Sequence, residues 1–258
     1  MISRLSAIAF NTFREAVRDR VLYNLVLFVL LLLATAPLFG QISIGLERII
    51  LINVGLSAIS LFGIVIAIFV GIGLVAKEMD KKTLYTILSR PVRRWEFIAG
   101  KYFGLMMTLV VNAAFMAGGF YLALLINARG LQRADVGLLI AIYFTILQFF
   151  VMTSITLLFS SFSTPIFSAL FAFSLFVIGT FAEDLRNFAA MSHGVTRWLV
   201  TGAAYLVPNF SALNVISQVA HDAPVSGTLV LWNSVYAVLY SLTTLAAAAL
   251  IFERRNLK

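Results

Sequence analysis

Long apolar runs, broken at intervals by charged or turn-forming clusters, dominate the pattern along this chain. Six runs stand out, at residues 21–40, 49–76, 102–128, 136–159, 166–182 and 228–252, and none holds an Asp, Glu, Lys, Arg or His. A helix crossing the hydrocarbon core of a bilayer needs about 20 predominantly apolar residues, so each run predicts a transmembrane helix. The expected fold is therefore all-α: one polytopic membrane domain over 1–258, divided into an interfacial helix (1–20), five spans (21–182), an external segment (183–227), a sixth span (228–252) and a short tail (253–258).

Ahead of the first run the pattern changes to an amphipathic one. Leu5, Ile8, Ala9, Phe13, Ala16 and Val17 recur at helical spacing, while Arg14, Glu15, Arg18 and Asp19 fall off that stripe. Such a helix lies in the headgroup plane with its apolar face down; the plainer reading is a basic flank that anchors the first span. Residues 25–36, ending in Ala34-Thr35-Ala36, also look like a signal-peptide core with a cleavage site. Retention fits better, because the preceding stretch is a patterned helix and Pro37 suits a bend at the membrane face.

Composition agrees with lipid surroundings. The chain is 61% apolar and 12% charged, against about 45–50% and about 25% in soluble domains. Cysteine is absent, which excludes disulfides and thiolate chemistry, and His193 and His221 are the only histidines, with no metal-binding motif around them. The net charge of +8 would suit nucleic acid if it were spread over a soluble surface. Instead, fourteen of the nineteen basic residues fall in the two termini and the 77–101 connection, leaving Arg48, Arg129, Arg133, Arg186 and Arg197 on the other side. By the positive-inside rule both termini are cytoplasmic, and no nucleic-acid partner is required. The absence of ionisable groups from the runs argues against a secondary carrier and against intramembrane proteolysis.

Polarity inside the runs is uncharged. Thr145, Gln148, Met152, Thr156, Ser160 and Ser163 share one helix face, and Asn53, Ser57 and Ser60 form a second stripe. Asn53, Ser57, Thr145, Gln148 and Thr156 are the candidate translocation path; hydroxyls and amides at this spacing also bond neighbouring helices, their more ordinary role. Segment 183–227 carries Trp198, an apolar run at 199–208 and an amphipathic continuation through Val219. It is too short and broken to cross twice, so it is a re-entrant hairpin or a pair of helices on the outer leaflet. His193, His221 and Asp222 read as surface residues.

The connection after the second run holds the densest mixture of chemistry. Leu84, Tyr85, Ile87 and Leu88 make an apolar knob between basic ends; Pro91 should stop that short helix, and Trp95 and Phe97 re-enter the interface. The knob either docks a partner or lies flat in lipid. Gly100-Lys101 lacks the spacing of a phosphate-binding loop.

The run of Glu78, Thr83-Leu84, Leu88, Ser89, Arg90, Pro91, Arg94 and Gly100-Lys101, with Leu206-Val207-Pro208-Asn209-Phe210 further on, resembles type-2 ABC transporter permeases. The likeness is strongest to those of multicopper-enzyme maturation, including nitrous oxide reductase assembly, and Lys82 stands where that family often has glycine. The resemblance implies an N-terminal elbow helix and a coupling helix near residues 80–89 seated in a separate ATPase. Leu84, Tyr85 and Leu88 would be its anchors, and Glu78, Lys81, Lys82, Thr83 and Arg90 the surrounding contacts. It implies no cofactor on this chain, with ATP and Mg on the ATPase, a second permease copy, membrane lipid around both, and a periplasmic partner or exit cap formed by 183–227. The function so implied is the permease subunit of an ATP-driven exporter in the bacterial inner membrane. An ATP-independent membrane scaffold is the alternative, and a secondary carrier the weaker third.

Overall fold

The computed structural model describes residues 2–17, 47–80, 94–127 and 133–254; the first predicted span and the 81–93 connection lie outside them. The elements are α1 (Ile2–Ala16), α2 (Glu47–Asp80), α3 (Arg94–Asn127), a 3-10 turn (Arg133–Gly137), α4 (Leu138–Phe162), α5 (Pro165–Thr180), α6 (Ala182–Met191), α7 (Gly194–Leu206), α8 (Ile216–Ala220) and α9 (Gly227–Arg254). No strand occurs among the described residues. Among the described residues four helical stretches are long and apolar enough to cross a membrane: Arg48–Leu74, Trp95–Ile126, Asp135–Phe162 and Gly227–Glu253.

α4 is the axis of the bundle. It packs against α2, α3, α5, α8 and α9, and 61% of its most apolar window is buried, against 22% for α9. Lipid supplies no hydrophobic drive between helices, so close fit must hold them together. Here α2 provides notches. A methyl group on Gly55 would stand 2.4 Å from the Phe120 ring of α3, and one on Gly63 would stand 1.9 Å from Phe149 of α4. Gly71 likewise receives Thr156 and Leu105. Large apolar residues such as Phe69, Phe115, Ile166 and Trp232 point outward and exposed, which suits a hydrocarbon solvent and no aqueous one.

The two ends of the bundle are closed differently. At one end Arg48, opening α2, donates from its guanidinium to the buried carboxylate of Asp135, and the Tyr121 hydroxyl donates to the Asp135 carbonyl at 2.9 Å. At the other end Phe97 of α3 stacks on Phe252 of α9, with ring centroids 5.8 Å apart, and Ile98, Ala248 and Leu158 complete the seal. The end of α2, the start of α3, the α4–α5 turn and the end of α9 thus share one pole. The α4–α5 turn is short because Ser163 leaves the helix with its N–H on the Phe159 carbonyl and Pro165 opens α5, a position where the missing N–H is no loss.

α1 joins the same pole. Its buried face carries Ala9, Thr12 and Ala16, with Leu5, Ile8, Phe13 and Val17 partly covered, as the spacing predicts. That face rests on protein. Methyl groups on Gly100 and Gly104 of α3 would meet Ile8 at 2.5 Å and the Ala9 carbonyl at 2.5 Å, so a Gly-x-x-x-Gly notch lets the two backbones touch. Lys101, between the notches, is 1% exposed. Its Nζ lies 3.7 Å from Glu15 of α1 and 5.7 Å from the centre of the Phe97 ring. Glu96 and Lys101 are therefore buried helix residues, whereas the sequence pattern places them in the basic 77–101 connection.

The fifth predicted span also differs from its expectation. α5 stops at Thr180, and α6 continues at a bend of 59°. The cause is a contact from later in the chain: the Phe210 N–H takes the Gly179 carbonyl at 3.0 Å, and a side chain on Gly179 would stand 2.5 Å from the Pro208 carbonyl. The pair α5–α6 is a broken span or a re-entrant turn, and α7 then runs back beside α6 as a helical hairpin.

The notch packing yields a sharp contrast between two glycines of one helix. Gly63→Ala should destabilise the protein by roughly 1–3 kcal/mol through overpacking against Phe149. Gly73→Ala, with no neighbour within 4 Å, should be neutral or slightly stabilising. Thermal unfolding of the detergent-purified protein checks both, and Phe149→Leu should restore the Gly63→Ala variant.

Candidate functional site

Gln148 sits near the middle of α4, about 20 Å along the helix from its Phe162 end, and is 4% exposed. Both halves of its amide are used. Oε1 accepts from Ser60 Oγ of α2 at 2.7 Å, and Nε2 donates to the Leu213 carbonyl at 2.9 Å. Leu213 belongs to the segment after α7, so residues 207–215 return to the mid-level of the bundle as irregular backbone.

Backbone without a helix or sheet at that depth has to find every partner in the protein. α9 presents Asn233, Tyr236 and Tyr240 on one face for this purpose. Asn233 Nδ2 donates to the Ala212 carbonyl at 2.9 Å, the Asn209 N–H donates to the Tyr236 hydroxyl at 2.7 Å, and the Tyr240 hydroxyl donates to the Leu206 carbonyl at 3.1 Å. Within the loop, Asn209 Oδ1 accepts from Ser211 Oγ at 2.7 Å and from the Ala212 N–H at 3.2 Å, a local turn typical of Asn. Phe210 is the apolar anchor, fully buried with its ring 5.4 Å from that of Phe176. Within segment 183–227, residues 207–215 therefore turn back into the bundle, against α4 and α9. The α7 face bearing Val195, Trp198, Leu199 and Tyr205 stays exposed.

Of the sequence-predicted path residues, Gln148 meets Ser60 of the second polar stripe, and Asn53, Thr145 and Thr156 bond within their own helices. Thr145 Oγ1 donates to the Ala141 carbonyl and Thr156 Oγ1 to the Met152 carbonyl, at 3.0 and 2.8 Å. Asn53 Nδ2 donates to the Ile49 carbonyl at 3.0 Å, and Ser57 is exposed. Thr145, Gln148 and Thr156 are all buried inside the chain. A polar cavity of about 170 Å³ lies beside the Gln148 contact, lined by Ser60, Gln148, Phe176, Thr180, Phe210, Ser211 and Asn214. No charged side chain among the described residues lines it, so it offers hydrogen bonds to water or to a small neutral group.

Of the predicted docking residues, Lys81, Lys82, Thr83, Leu84, Tyr85, Leu88 and Arg90 lie outside the described residues, and Glu78 sits on the last turns of α2. His193 and His221 are exposed, and no group of three or more His, Cys, Asp or Glu gathers among the described residues. Sequence reasoning missed the α9 face. Its signal was present: Asn233, Tyr236 and Tyr240 repeat at three and four residues in a run otherwise free of amides.

Residues 6–257 match the family model described as ABC-2 family transporter protein. No curated protein matches the chain.

Removing the Gln148 amide should free the returning loop without unfolding the bundle. In Gln148→Leu, which leaves Ser60 Oγ and the Leu213 carbonyl unmet at a cost of about 1–3 kcal/mol, amide exchange at Phe210 and Leu213 should rise about 5- to 100-fold. Hydrogen–deuterium exchange of the purified protein measures it, and the α4 amides should keep their protection.

Proposed function

Given that the chain belongs to the ABC-2 family of transporter proteins and is on that ground the membrane permease component of an ABC transporter, working with an ABC ATPase subunit, we propose that it is the six-span permease of an exporter. In this reading it pairs with a second copy in the bacterial inner membrane, with both termini and the 81–93 connection in the cytoplasm. The ATPase seats on that connection, with Leu84, Tyr85 and Leu88 as apolar anchors and Glu78, Lys81, Lys82, Thr83 and Arg90 around them. ATP and Mg belong to the ATPase. The subgroup that matures multicopper enzymes, such as nitrous oxide reductase, is the narrower assignment we favour.

The observation that carries the docking role is the convergence of four elements at one pole of the bundle. The end of α2 and the start of α3 flank the connection directly, and the Phe97–Phe252 stack ties α3 to α9. α1 is locked to α3 at Gly100 and Gly104, with Glu15 beside Lys101. A force applied to residues 81–93 is thus delivered to α3, α1 and α9 together. The most basic part of the sequence is at this pole, which agrees with a cytoplasmic placement.

Translocation then requires the returning loop to move. With Gln148 and Ser60 engaged, the polar face of Thr145, Gln148 and Thr156 is closed off inside the chain. Withdrawal of residues 207–215 would uncover Gln148 and, with Thr145, Asn53 and Ser57, form a lined path, while Thr156 stays in its notch at Gly71. The α6–α7 hairpin, continuous with this loop, is where a periplasmic partner would act.

Leu84→Asp and Tyr85→Asp should each abolish recovery of an ABC ATPase with the permease while leaving membrane insertion unchanged, because one buried charge at an apolar anchor removes most of the binding energy. Affinity isolation in mild detergent with identification of accompanying chains tests this. Undiminished ATPase recovery with both variants would overturn the docking assignment.

A further inference from the structure

The polar cavity beside Gln148 has the wrong chemistry for its depth. Gln148 falls at the centre of the apolar Asp135–Phe162 stretch, and its bond to the Leu213 carbonyl sets Asn214 at the same level. Ser60 lies about 18 Å along α2 from Arg48, and Thr180 about 22 Å along α5 from Pro165. In a hydrocarbon core about 30 Å thick this is the middle. Exposed residues at that level are elsewhere apolar, as Leu61 of α2 and Leu239 of α9 are.

Around the cavity the composition reverses. Only Phe176 and Phe210 are apolar; the other lining residues are Ser60, Gln148, Thr180, Ser211 and Asn214. Asn214 and Thr180 are exposed. The Asn214 Oδ1 accepts from the Ile216 N–H at 3.2 Å, while its Nδ2 has no partner among the described residues. The hydroxyls of Ser60, Thr180 and Ser211 donate to Gln148 Oε1, the Val177 carbonyl and Asn209 Oδ1, at 2.7 Å each, and each keeps a lone pair for an incoming donor. An amide turned toward hydrocarbon is costly. Water meets both needs, since it accepts from Asn214 and donates to the hydroxyls, and about 170 Å³ is far more than the roughly 15 Å³ that one molecule requires.

The polar lining continues in one direction. Ser57, exposed, and Asn53, partly exposed, stand about 4 and 10 Å nearer the Arg48 end of α2 than Ser60 does. Toward the opposite pole the exposed residues of α5 are Phe167, Leu170, Phe171, Phe173 and Val177, a surface for lipid.

We propose that the cavity is the floor of an aqueous vestibule, which enters the bundle from the Arg48 pole along Asn53 and Ser57 and carries water to the middle of the membrane. The contact of Gln148 with Ser60 and Leu213 closes it below. The vestibule depends on α2 and α4 spanning the membrane, as in the proposed permease, and is independent of where an ATPase docks and of which pole is cytoplasmic.

The chain has no cysteine, so single cysteines in the full chain, reconstituted in sealed phosphatidylcholine–phosphatidylglycerol vesicles, test this with a membrane-impermeant trimethylammonium methanethiosulfonate. His221→Cys marks the Arg48 pole, because His221 is exposed and nearby Val219 approaches Gly137; Thr164→Cys, exposed at the start of α5, marks the other. Ser57→Cys, Thr180→Cys and Asn214→Cys should react about 10- to 100-fold faster than Leu61→Cys, whose thiol among hydrocarbon forms the reactive thiolate less readily. Their labelled fraction should equal that of His221→Cys. Ser57→Cys breaks no hydrogen bond, so it decides the matter if Asn214→Cys, which frees the Ile216 N–H, misfolds.

Four results would overturn the proposal. Rates as slow as that of Leu61→Cys would make the cavity dry or lipid-filled. A labelled fraction that follows Thr164→Cys would put the opening at the opposite pole. A disulfide between two copies through Ser57→Cys or Asn214→Cys, with labelling lost, would make a second copy the cover. Leu61→Cys reacting as fast as His221→Cys would remove the membrane placement itself, an outcome distinct from the other three.

Discussion

Irregular backbone halfway along an apolar bundle has no water to bond, and the rest of this structure is arranged around meeting that demand. Residues 207–215 return to the level of Gln148, and their carbonyls and N–H groups are met by Gln148, Asn233, Tyr236 and the end of α5, while Tyr240 takes the Leu206 carbonyl just before them. Each of those partners is therefore constrained in place and in type, since a neutral donor or acceptor is needed and a charge would be expensive at that depth. The 59° break after α5 belongs to the same device. The Gly179 carbonyl takes the Phe210 N–H, and Gly179 leaves room for Pro208 and Phe210.

Shape does the remaining work of holding the helices together. The glycines of α2 at 55, 63 and 71 take up side chains from α3 and α4, and the hydroxyl pairs Tyr143–Ser234 and Ser154–Thr244 bridge α4 to α9 at 2.7 Å each. Between α3 and α9 this fit is incomplete, and Ala246 and Ala249 line a cleft together with Ala99. Tight notches on one side of α4 and an open slot on the other make the bundle unequal in stiffness. The α3–α9 contact has the room to change without overpacking.

The pole that carries the basic connection is the stiffest part of α3. A buried lysine, a notch of two glycines and a ring stack bind α1, α3 and α9 there. The returning loop is the opposite case. It is held by a few hydrogen bonds and one aromatic anchor, so it is the element that can be released while the bundle stays intact.

The sequence by itself determined the class of the molecule. Apolar runs free of ionisable groups and the spacing of the α1 stripe predicted helices, and the structure shows helices at 2–16, 47–80, 94–127, 138–162 and 227–254, because burial in lipid imposes a length and a composition that a single run either meets or does not. Resemblance in the 78–101 run led to a transporter permease, and the family match across 6–257 supports that class. Only the tertiary structure decided what the polar positions do. Thr145 and Thr156 turn back on their own helix, and Gln148 leaves α4 to hold a loop 65 residues away. Lys101 is enclosed by α1 rather than set in a basic loop, and Ala246 and Ala249 line a cleft together with Ala99 of α3. Periodicity reports which face of a helix a side chain occupies. What lies across from that face depends on how distant segments meet, and no local pattern encodes it.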